Sequence, residues 1–245
     1  VVERTTKAID YRRKGGNLKV DLVGTELMPD AHGYAKVDDH TGRVKIDIDF
    51  KHLKQPQSFG PQYLTYVLWA ITPEGRPQNL GEVVLKSRKD TDSNLHVTTS
   101  LQSFGMIVTA EPYFAVSRPS NVVVMENQVG PDVKASVQPI TTHYETLGQT
   151  EYSVDISPDE LPAGKADSDT PLDILEAQNA IAIAKATGAN EYAEASPQKA
   201  QDQLTQAENA WRMKRHTAEF GTAARLAAEA AEDARLITIR RKHEE

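Results

Sequence analysis

The sequence contains no cysteine, and this absence excludes several kinds of chemistry. Disulfide bonds, thiol nucleophiles, thiolate zinc sites and lipid attachment through an N-terminal cysteine all require that residue. A chain without cysteine is compatible with an oxidising compartment such as a periplasm. We therefore expect neither a disulfide framework nor a cysteine-based site.

Long apolar runs and a surplus of basic residues are also lacking. Hydrophobic residues make up 39% of the chain, and no run approaches the roughly 18 to 20 apolar residues that cross a bilayer. The formal net charge is −7, with acidic and basic residues mixed along the chain. Because a nucleic-acid surface requires a concentrated basic patch, we expect neither a nucleic-acid partner nor a membrane span.

The amino terminus lacks a secretory signal. Residues Val1 to Ala8 contain neither a basic start nor an apolar stretch, and the sequence does not begin with Met. Two explanations stay open: either a signal has been removed from a secreted protein, or the sequence was trimmed.

The two halves of the chain have different patterns, which predicts an α+β protein built as two modules. Residues 1–129 predict an antiparallel β-sandwich of the immunoglobulin-like type. Residues 130–169 are rich in Pro, Gly, Thr and Asp and predict a linker. Residues 170–245 are rich in alanine and predict an α-helical domain.

The β pattern of the first half is carried by alternation. From Val44 to Phe50, apolar residues alternate with charged ones, as expected for a strand with one buried and one wet face. The run from Tyr63 to Ile71, YLTYVLWAI, is almost continuously apolar and predicts a central strand with Trp69 in the core. Turn residues separate about seven or eight such strands, which is typical of a sandwich.

Helix start and stop signals divide the second half. Thr170 and Pro171 predict the start of a first helix, which ends at Gly188. A second helix is predicted from Ser196 and a third from Thr217. The chain then ends without a stop signal, so we expect the last helix to continue in a longer protein. Together the helices predict a hairpin or a three-helix bundle.

Alanine dominates the apolar face of the third helix. Ala223, Ala227, Ala230 and Ala234 form a narrow stripe with Ile237, flanked by charged residues. The stripe fits either packing within the bundle or a coiled-coil seam with another chain, and both alternatives stay open. Since alanine contributes little by burial, we expect the core to rely on the isoleucines of the first helix and on Trp211, Leu204, Leu226 and Leu236.

Most candidate sites have a plain structural interpretation. The seven histidines are scattered and lack the spacing of metal ligands. Asp47 and Asp49 are compatible with a calcium site or a carboxylate pair, but interleaved lysines favour a wet sheet face. No nucleophile elbow or phosphate-binding loop is present. We expect no catalytic residue, no cofactor and no metal.

Four residues stand out as binding or structural positions: Trp69, Glu111, Tyr113 and Arg118. Glu111 lies between a predicted strand and a proline, where capping a turn or pairing with Arg118 or Arg76 is favoured over catalysis. Trp69 and Tyr113 belong to a set of aromatic residues for which core packing is favoured over a ligand groove. The full set is Tyr63, Tyr66, Trp69, Tyr113 and Phe114.

Three segments of the first module resemble the extracytoplasmic β-sandwich of anti-sigma-K factors. They are KVDLVGTELMPDAHGYAKV, YLTYVLWAITPEGRPQNLGEV and MIVTAEPYFAVSRPSNVVV. The resemblance rests on Tyr66, Trp69, Gly75, Leu80, Gly81, Val108, Thr109, Glu111, Pro112 and Pro119. It implies a sandwich fold outside the cytoplasm, without the sigma-binding helices and membrane span of that family.

The whole chain resembles the N-terminal part of OmpA-family envelope proteins of soil bacteria, of the acidobacterial type. The matching tail contains ATGANEYAEASPQKAQDQLTQAENAW and ARLAAEAAEDARLI, which also resemble an Ala-rich periplasmic helical domain of unknown function. The resemblance implies a periplasmic, outer-membrane-associated or extracellular protein. It also implies cell-wall association through a downstream domain that lies outside this sequence.

These observations predict a non-enzymatic structural or interaction protein of the bacterial cell envelope, with a sandwich head on a helical stalk. We expect protein partners or self-association through the C-terminal helices. The alternative is an extracytoplasmic sensory or regulatory domain that binds a ligand or a protein, like the domain of anti-sigma factors.

Overall fold

The computed structural model describes residues 1–13, 16–130, 139–147, 157–162, 169–214 and 217–245. Within these residues the protein is α+β, with a ten-stranded antiparallel sheet followed by C-terminal helices. The predicted α+β class is therefore confirmed.

The chain divides into two compact units, which we call the sheet unit and the helical unit. The sheet unit comprises residues 1–58, 65–111 and 117–148. The helical unit comprises residues 59–64, 112–116 and 149–245. Each unit is thus assembled from separate stretches of the chain. The boundaries expected at residues 129 and 170 stay a prediction.

The strands of the sheet unit are mostly seven to nine residues long. In chain order they are β1 (Val2–Asp10), β2 (Gly16–Gly24), β3 (His32–His40), β4 (Arg43–Lys51), β5 (Thr65–Ile71), β6 (Pro77–Val83), β7 (Ser93–Thr99), β8 (Ser103–Glu111), β9 (Val123–Gln128) and β10 (Ile140–Thr146).

Eight of these strands form one antiparallel path in the order β6, β5, β8, β9, β2, β3, β4 and β7. Strand β1 joins the path at β8 through Ile9 and Asp10, and its remaining length pairs with β10. The two end strands approach each other: the Thr99 hydroxyl on β7 donates to the Gln78 side-chain oxygen on β6 at 2.9 Å.

The burial of the strands follows the sequence pattern. In β4 the residues from Val44 to Phe50 alternate between buried and more exposed positions, which confirms the predicted wet and dry faces. Every residue of β5 is buried, and Trp69 is fully enclosed, which confirms β5 as a central strand. The sheet unit therefore has one apolar interior and a charged outer surface over β2, β3, β4 and β7.

Strands β1 and β10 pair with each other and were not expected from the sequence. Strand β10 lies inside the segment 130–169 that was predicted to be a linker. Residues 131–138, 148–156 and 163–168 of that segment lie outside the described part of the chain. Of β1, only Thr6, Ala8 and Ile9 are buried, so its apolar signal is weak.

A tight turn between β5 and β6 packs against β10. Gly75 in this turn has φ +83°, and a Cβ atom added there would overlap the carbonyl oxygen of His143 on β10. Only glycine has no side chain to clash and adopts this backbone conformation without strain. The turn thus packs closely on β10 within the sheet unit.

The helical unit contains α1 (Leu172–Thr187), α2 (Ala189–Tyr192), α3 (Ala195–Arg212) and α4 (Thr217–Glu244). Gly188 ends α1 with φ +104°, and its N–H bonds to the carbonyls of Ala184 and Lys185. This is the left-handed C-terminal cap that the sequence predicts. The structure starts α1 one residue after Pro171 and α3 one residue before Ser196.

Helix α4 packs along both α1 and α3. Its buried positions are mostly alanines, which let the helix axes approach closely. They are Ala223, Ala224, Ala227, Ala228, Ala230, Ala231 and Ala234. Leu204 and Ile174 are buried as predicted, whereas Leu226 is 45% exposed, so its predicted core role was wrong. Leu226 lies on the face of α4 that carries the exposed Thr222 and Glu229.

The helices in the described part of the chain are too short or too polar to cross a bilayer.

Candidate functional site

Glu111 ends β8 in the interior of the sheet unit and is 1% exposed. Its Oε1 accepts hydrogen bonds from the Thr109 hydroxyl at 2.6 Å and from the Ser120 backbone N–H at 2.7 Å. The Thr109 hydroxyl in turn accepts a hydrogen bond from the indole N–H of Trp69 at 2.8 Å. Trp69, Thr109 and Glu111 therefore form one buried chain of hydrogen bonds.

This chain of hydrogen bonds holds the start of β9 against β8. The Ser120 hydroxyl also donates to the carbonyl of Ala110 at 2.7 Å, so both polar groups of Ser120 bind the end of β8. Arg118, which the sequence offered as a partner of Glu111, pairs instead with Glu145 at 3.2 Å on the surface. The geometry around Glu111 is that of a carboxylate that fastens a turn.

Tyr113 lies in the helical unit and is buried. Its hydroxyl donates to Glu232 Oε2 at 2.5 Å, and Arg235 donates to both oxygens of Glu232 at 2.8 Å. Burial raises the pKa of Tyr113, and the negative charge of Glu232 adds to that effect. Burial alone lowers the pKa of Arg235, but its hydrogen bonds to Glu232 and the nearby charges raise it overall.

The two short segments of the helical unit are held by these and similar contacts. The Asn179 amide on α1 donates to the carbonyls of Gln62 and Pro112, both at 3.2 Å. The Arg225 guanidinium on α4 lies 3.7 Å from the centre of the Phe114 ring, within the range of a cation–π contact. Helices α1 and α4 thus fix residues 59–64 and 112–116.

The aromatic residues singled out in the sequence do not form one open site. Tyr66 and Trp69 are enclosed in the sheet unit, and Tyr63 and Tyr113 are enclosed in the helical unit. Phe114 is half-buried beneath a guanidinium group. Because Tyr63, Tyr66, Trp69 and Tyr113 are buried, none of these four rings is available to a ligand.

An open concave surface lies instead on the outer face of the sheet unit. It has a volume of about 520 Å³, within the range of ligand pockets, and spans β2, β3, β4 and β7. We call it the charged groove and define it by Lys19, Asp21, Tyr34, Ala35, Lys36, Lys45, Asp47, Asp49 and His96. The sequence predicted that Asp47 and Asp49 lie on a wet sheet face. It did not single out the other residues of the groove as a site.

Strand register arranges the groove in cross-strand rows. One row contains Asp21, Tyr34 and Asp49, and the next row contains Lys19, Lys36, Asp47 and His96. Neighbours within a row are directly opposite each other, so their Cβ atoms are about 4.5–5.5 Å apart. The sequence carried the alternation of these residues but not the register that brings them together.

The charged residues of the groove differ in whether they form ion pairs. The Nδ1–H of His96 donates to Asp47 Oδ1 at 2.7 Å, and Lys45 Nζ is 3.5 Å from the other oxygen. The hydrogen bond from His96 lowers the pKa of Asp47, and the Lys45 charge adds to that effect. The lowered pKa keeps Asp47 ionised, and the nearby Lys45 offsets part of its negative charge.

The two remaining lysines, Lys19 and Lys36, are opposite each other, and Lys36 is also opposite Asp47 on β4. Within the described part of the chain, neither Lys19 nor Lys36 forms an ion pair. Asp21 lies 3.7 Å from His32 Nε2, and the ring of His32 stacks at a tilt on Tyr34. The groove therefore has a positive row beside a row of two carboxylates and an exposed ring.

Comparison with known proteins returns no relatives. A scan against models of known families, a search of curated proteins and a search of solved structures each find no match to this chain.

Proposed function

We propose that this chain is a non-enzymatic interaction protein of the bacterial cell envelope and that it binds a protein partner through the charged groove. The observation that carries the proposal is the pair of Lys19 and Lys36, opposite each other and without ion pairs in the described residues, beside the exposed Tyr34. Exposed aromatic rings are enriched at surfaces that protein partners cover. Charges of one sign there favour the encounter with a partner of opposite charge.

The placement of two buried acids, Glu111 and Glu232, supports a role without catalysis. Glu111 and Glu232 both bind several donors of the protein itself, and each fastens a turn or a segment. A general acid or base must reach a bound substrate within hydrogen-bond distance. Because both carboxylates are almost completely enclosed, their surroundings favour a structural use.

The finer description of the architecture belongs to the same proposal. We take the sheet unit to be an immunoglobulin-like sandwich and the helices to be a three-helix bundle that acts as a stalk. Support comes from the alternation of buried and more exposed residues in β4 and from the packing of α4 along α1 and α3. The resemblance to envelope proteins supports a location in the periplasm or at the outer membrane.

Self-association through the helices stays a prediction. The alanine stripe of α4 is buried within the helical unit itself, so a coiled-coil partner would require a different face. For this reason we place the partner site in the sheet unit. The sensory alternative predicts a concave aromatic site on the sandwich. Tyr66 and Trp69 are enclosed, and the exposed ring in the charged groove is Tyr34.

Photo-crosslinking in the native bacterium tests the proposed function. A photoreactive phenylalanine analogue replaces Tyr34 in the full chain, and a control variant carries the same analogue at the exposed Lys86 in the β6–β7 connection. We expect a protein adduct at position 34 that disappears when Lys19 and Lys36 are changed to Glu, and no such adduct at position 86. Equal adducts at both positions, or an adduct that survives charge reversal, would contradict the proposal.

A further inference from the structure

Lys19 and Lys36 repel each other across the β2–β3 ladder, and the acidic residue opposite Lys36 on β4 is Asp47, which pairs with Lys45 and His96. The two residues are directly opposite on β2 and β3, and like charges in that position destabilise a sheet. Lysines often protect the edges of sheets. Lys36 lies on β3, which is paired on both sides, whereas the ladder between β2 and β9 begins only at Asp21, beyond Lys19. Edge protection therefore does not explain Lys36, and an anionic group bound between the two ammonium groups would offset their repulsion.

The neighbouring row has the opposite charge. Asp21 and Asp49 stand on either side of Tyr34, which is 55% exposed. The Asp21 side chain is 52% exposed, so its carboxylate is accessible from the groove. This row offers acceptors for a cationic group and an aromatic face between them.

The distance between the two rows selects a particular ligand geometry. Within each strand the rows are two residues apart, which is about 6.6–6.8 Å along the sheet. A peptide in extended conformation places alternate side chains at the same repeat. An acidic and a basic side chain two positions apart thus match the positive and the negative row.

We propose that the charged groove binds an extended segment of its protein partner that carries an acidic and a basic residue two positions apart. The acidic side chain lies between Lys19 and Lys36, and the basic side chain lies beside Tyr34 with Asp21 and Asp49. This inference rests on the proposed function and names the chemistry of the partner. Charge complementarity between the two rows and such a segment is the argument that favours this occupant.

Peptide titration of the full chain, followed by amide NMR shifts, tests the inference. The probe is a blocked five-residue threonine peptide with one Glu and one Lys two positions apart. A matched peptide has the same composition with Glu and Lys adjacent. We expect shifts around Lys19, Tyr34 and Asp49 and about tenfold weaker binding of the matched peptide, because one charge is then unpaired.

Variants and a simple anion complete the test. Lys36→Glu is expected to abolish the shifts, whereas Lys86→Glu outside the groove leaves them unchanged. Equal binding of both peptides, or binding of inorganic phosphate as strong as that of the first peptide, would overturn the inference. If no peptide binds while the adduct at position 34 persists, the inference fails and the proposed function stands. If the adduct is also missing, both fail.

Discussion

The buried group of Tyr113, Glu232 and Arg235 allows a quantitative test of what holds the helical unit together. The side chains of Glu232 and Arg235 are each 5% exposed, and the guanidinium donates to both carboxylate oxygens. Changing Glu232 to Leu removes the acceptor of two Arg235 hydrogen bonds and of the Tyr113 hydroxyl. A positive charge then remains buried without its carboxylate partner.

The expected loss follows from the cost of an uncompensated buried charge. Removing one partner of a buried ion pair costs about 3–5 kcal/mol. The Tyr113 hydroxyl loses a bond as well, although such losses within one network do not add fully. We therefore expect Glu232→Leu to lower the free energy of unfolding of the helical unit by about 3–5 kcal/mol.

Urea denaturation followed by the helical circular dichroism signal measures this loss. The matched control is Glu229→Leu, an exposed position on the same helix, which we expect to change stability by less than about 0.5 kcal/mol. The double variant Glu232→Leu, Arg235→Leu removes both charges and is expected to be more stable than the single variant. A single variant within about 1 kcal/mol of the control, or a double variant that is less stable than the single one, would refute the reasoning.

Two further results are expected in the sheet unit. Gly75→Ala should lower the free energy of unfolding by at least about 1–3 kcal/mol more than Gly42→Ala does, as measured by thermal or urea unfolding. Both glycines have positive φ, but only at position 75 would the added Cβ clash with His143. Equal losses would contradict the packing of this turn on β10. His96→Ala should raise the pKa of Asp47 towards its ordinary value in an NMR titration, because the hydrogen bond from His96 lowers it. The depressed pKa means that this pair stabilises the fold above the ordinary carboxyl pKa and that the contribution disappears as the pH falls through the lowered value. An unchanged pKa would show that the pair does not form in solution.

Local patterns in the sequence predicted a large part of the fold. Strand β2, the strands from β4 to β9 and the ends of α1 follow from alternation, turn residues and the cap at Gly188. These signals are local, because each depends on residues that are close together in the sequence. Strand β3 was not predicted, because His32 and Gly33 at its start have the composition of a turn. Strands β1 and β10 were missed, since Val2 pairs with Thr146 and β1 has few buried apolar residues.

The charged groove could be predicted only in part from the sequence. The β3–β4 hairpin has a two-residue loop at Thr41 and Gly42, both with positive φ, and such a loop fixes the pairing of Lys36 with Asp47. The loop between β2 and β3 is longer, so the pairing of Lys19 with Lys36 does not follow from the sequence. Without that register, the lysine pair and its neighbouring acidic row cannot be recognised.

The buried contacts of the helical unit were out of reach for the same reason. Glu232 and Arg235 are three residues apart on α4, which alone indicates a solvent-exposed ion pair on a helix. Their burial depends on Tyr113, which lies far away in the sequence. Residues from distant segments thus determine whether a charged pair is structural or merely solvated.

The most direct test of the central claim is the affinity of the purified full chain for the protein captured at position 34. Calorimetric titration compares the unaltered chain with two variants. The first variant carries both Lys19→Glu and Lys36→Glu, and the second carries Lys86→Glu. We expect the double charge reversal to weaken binding by at least about tenfold, because each lysine contributes a charge that the partner neutralises. We expect Lys86→Glu to bind as tightly as the unaltered chain. Equal affinities of all three proteins would contradict the assignment of the charged groove as the partner site.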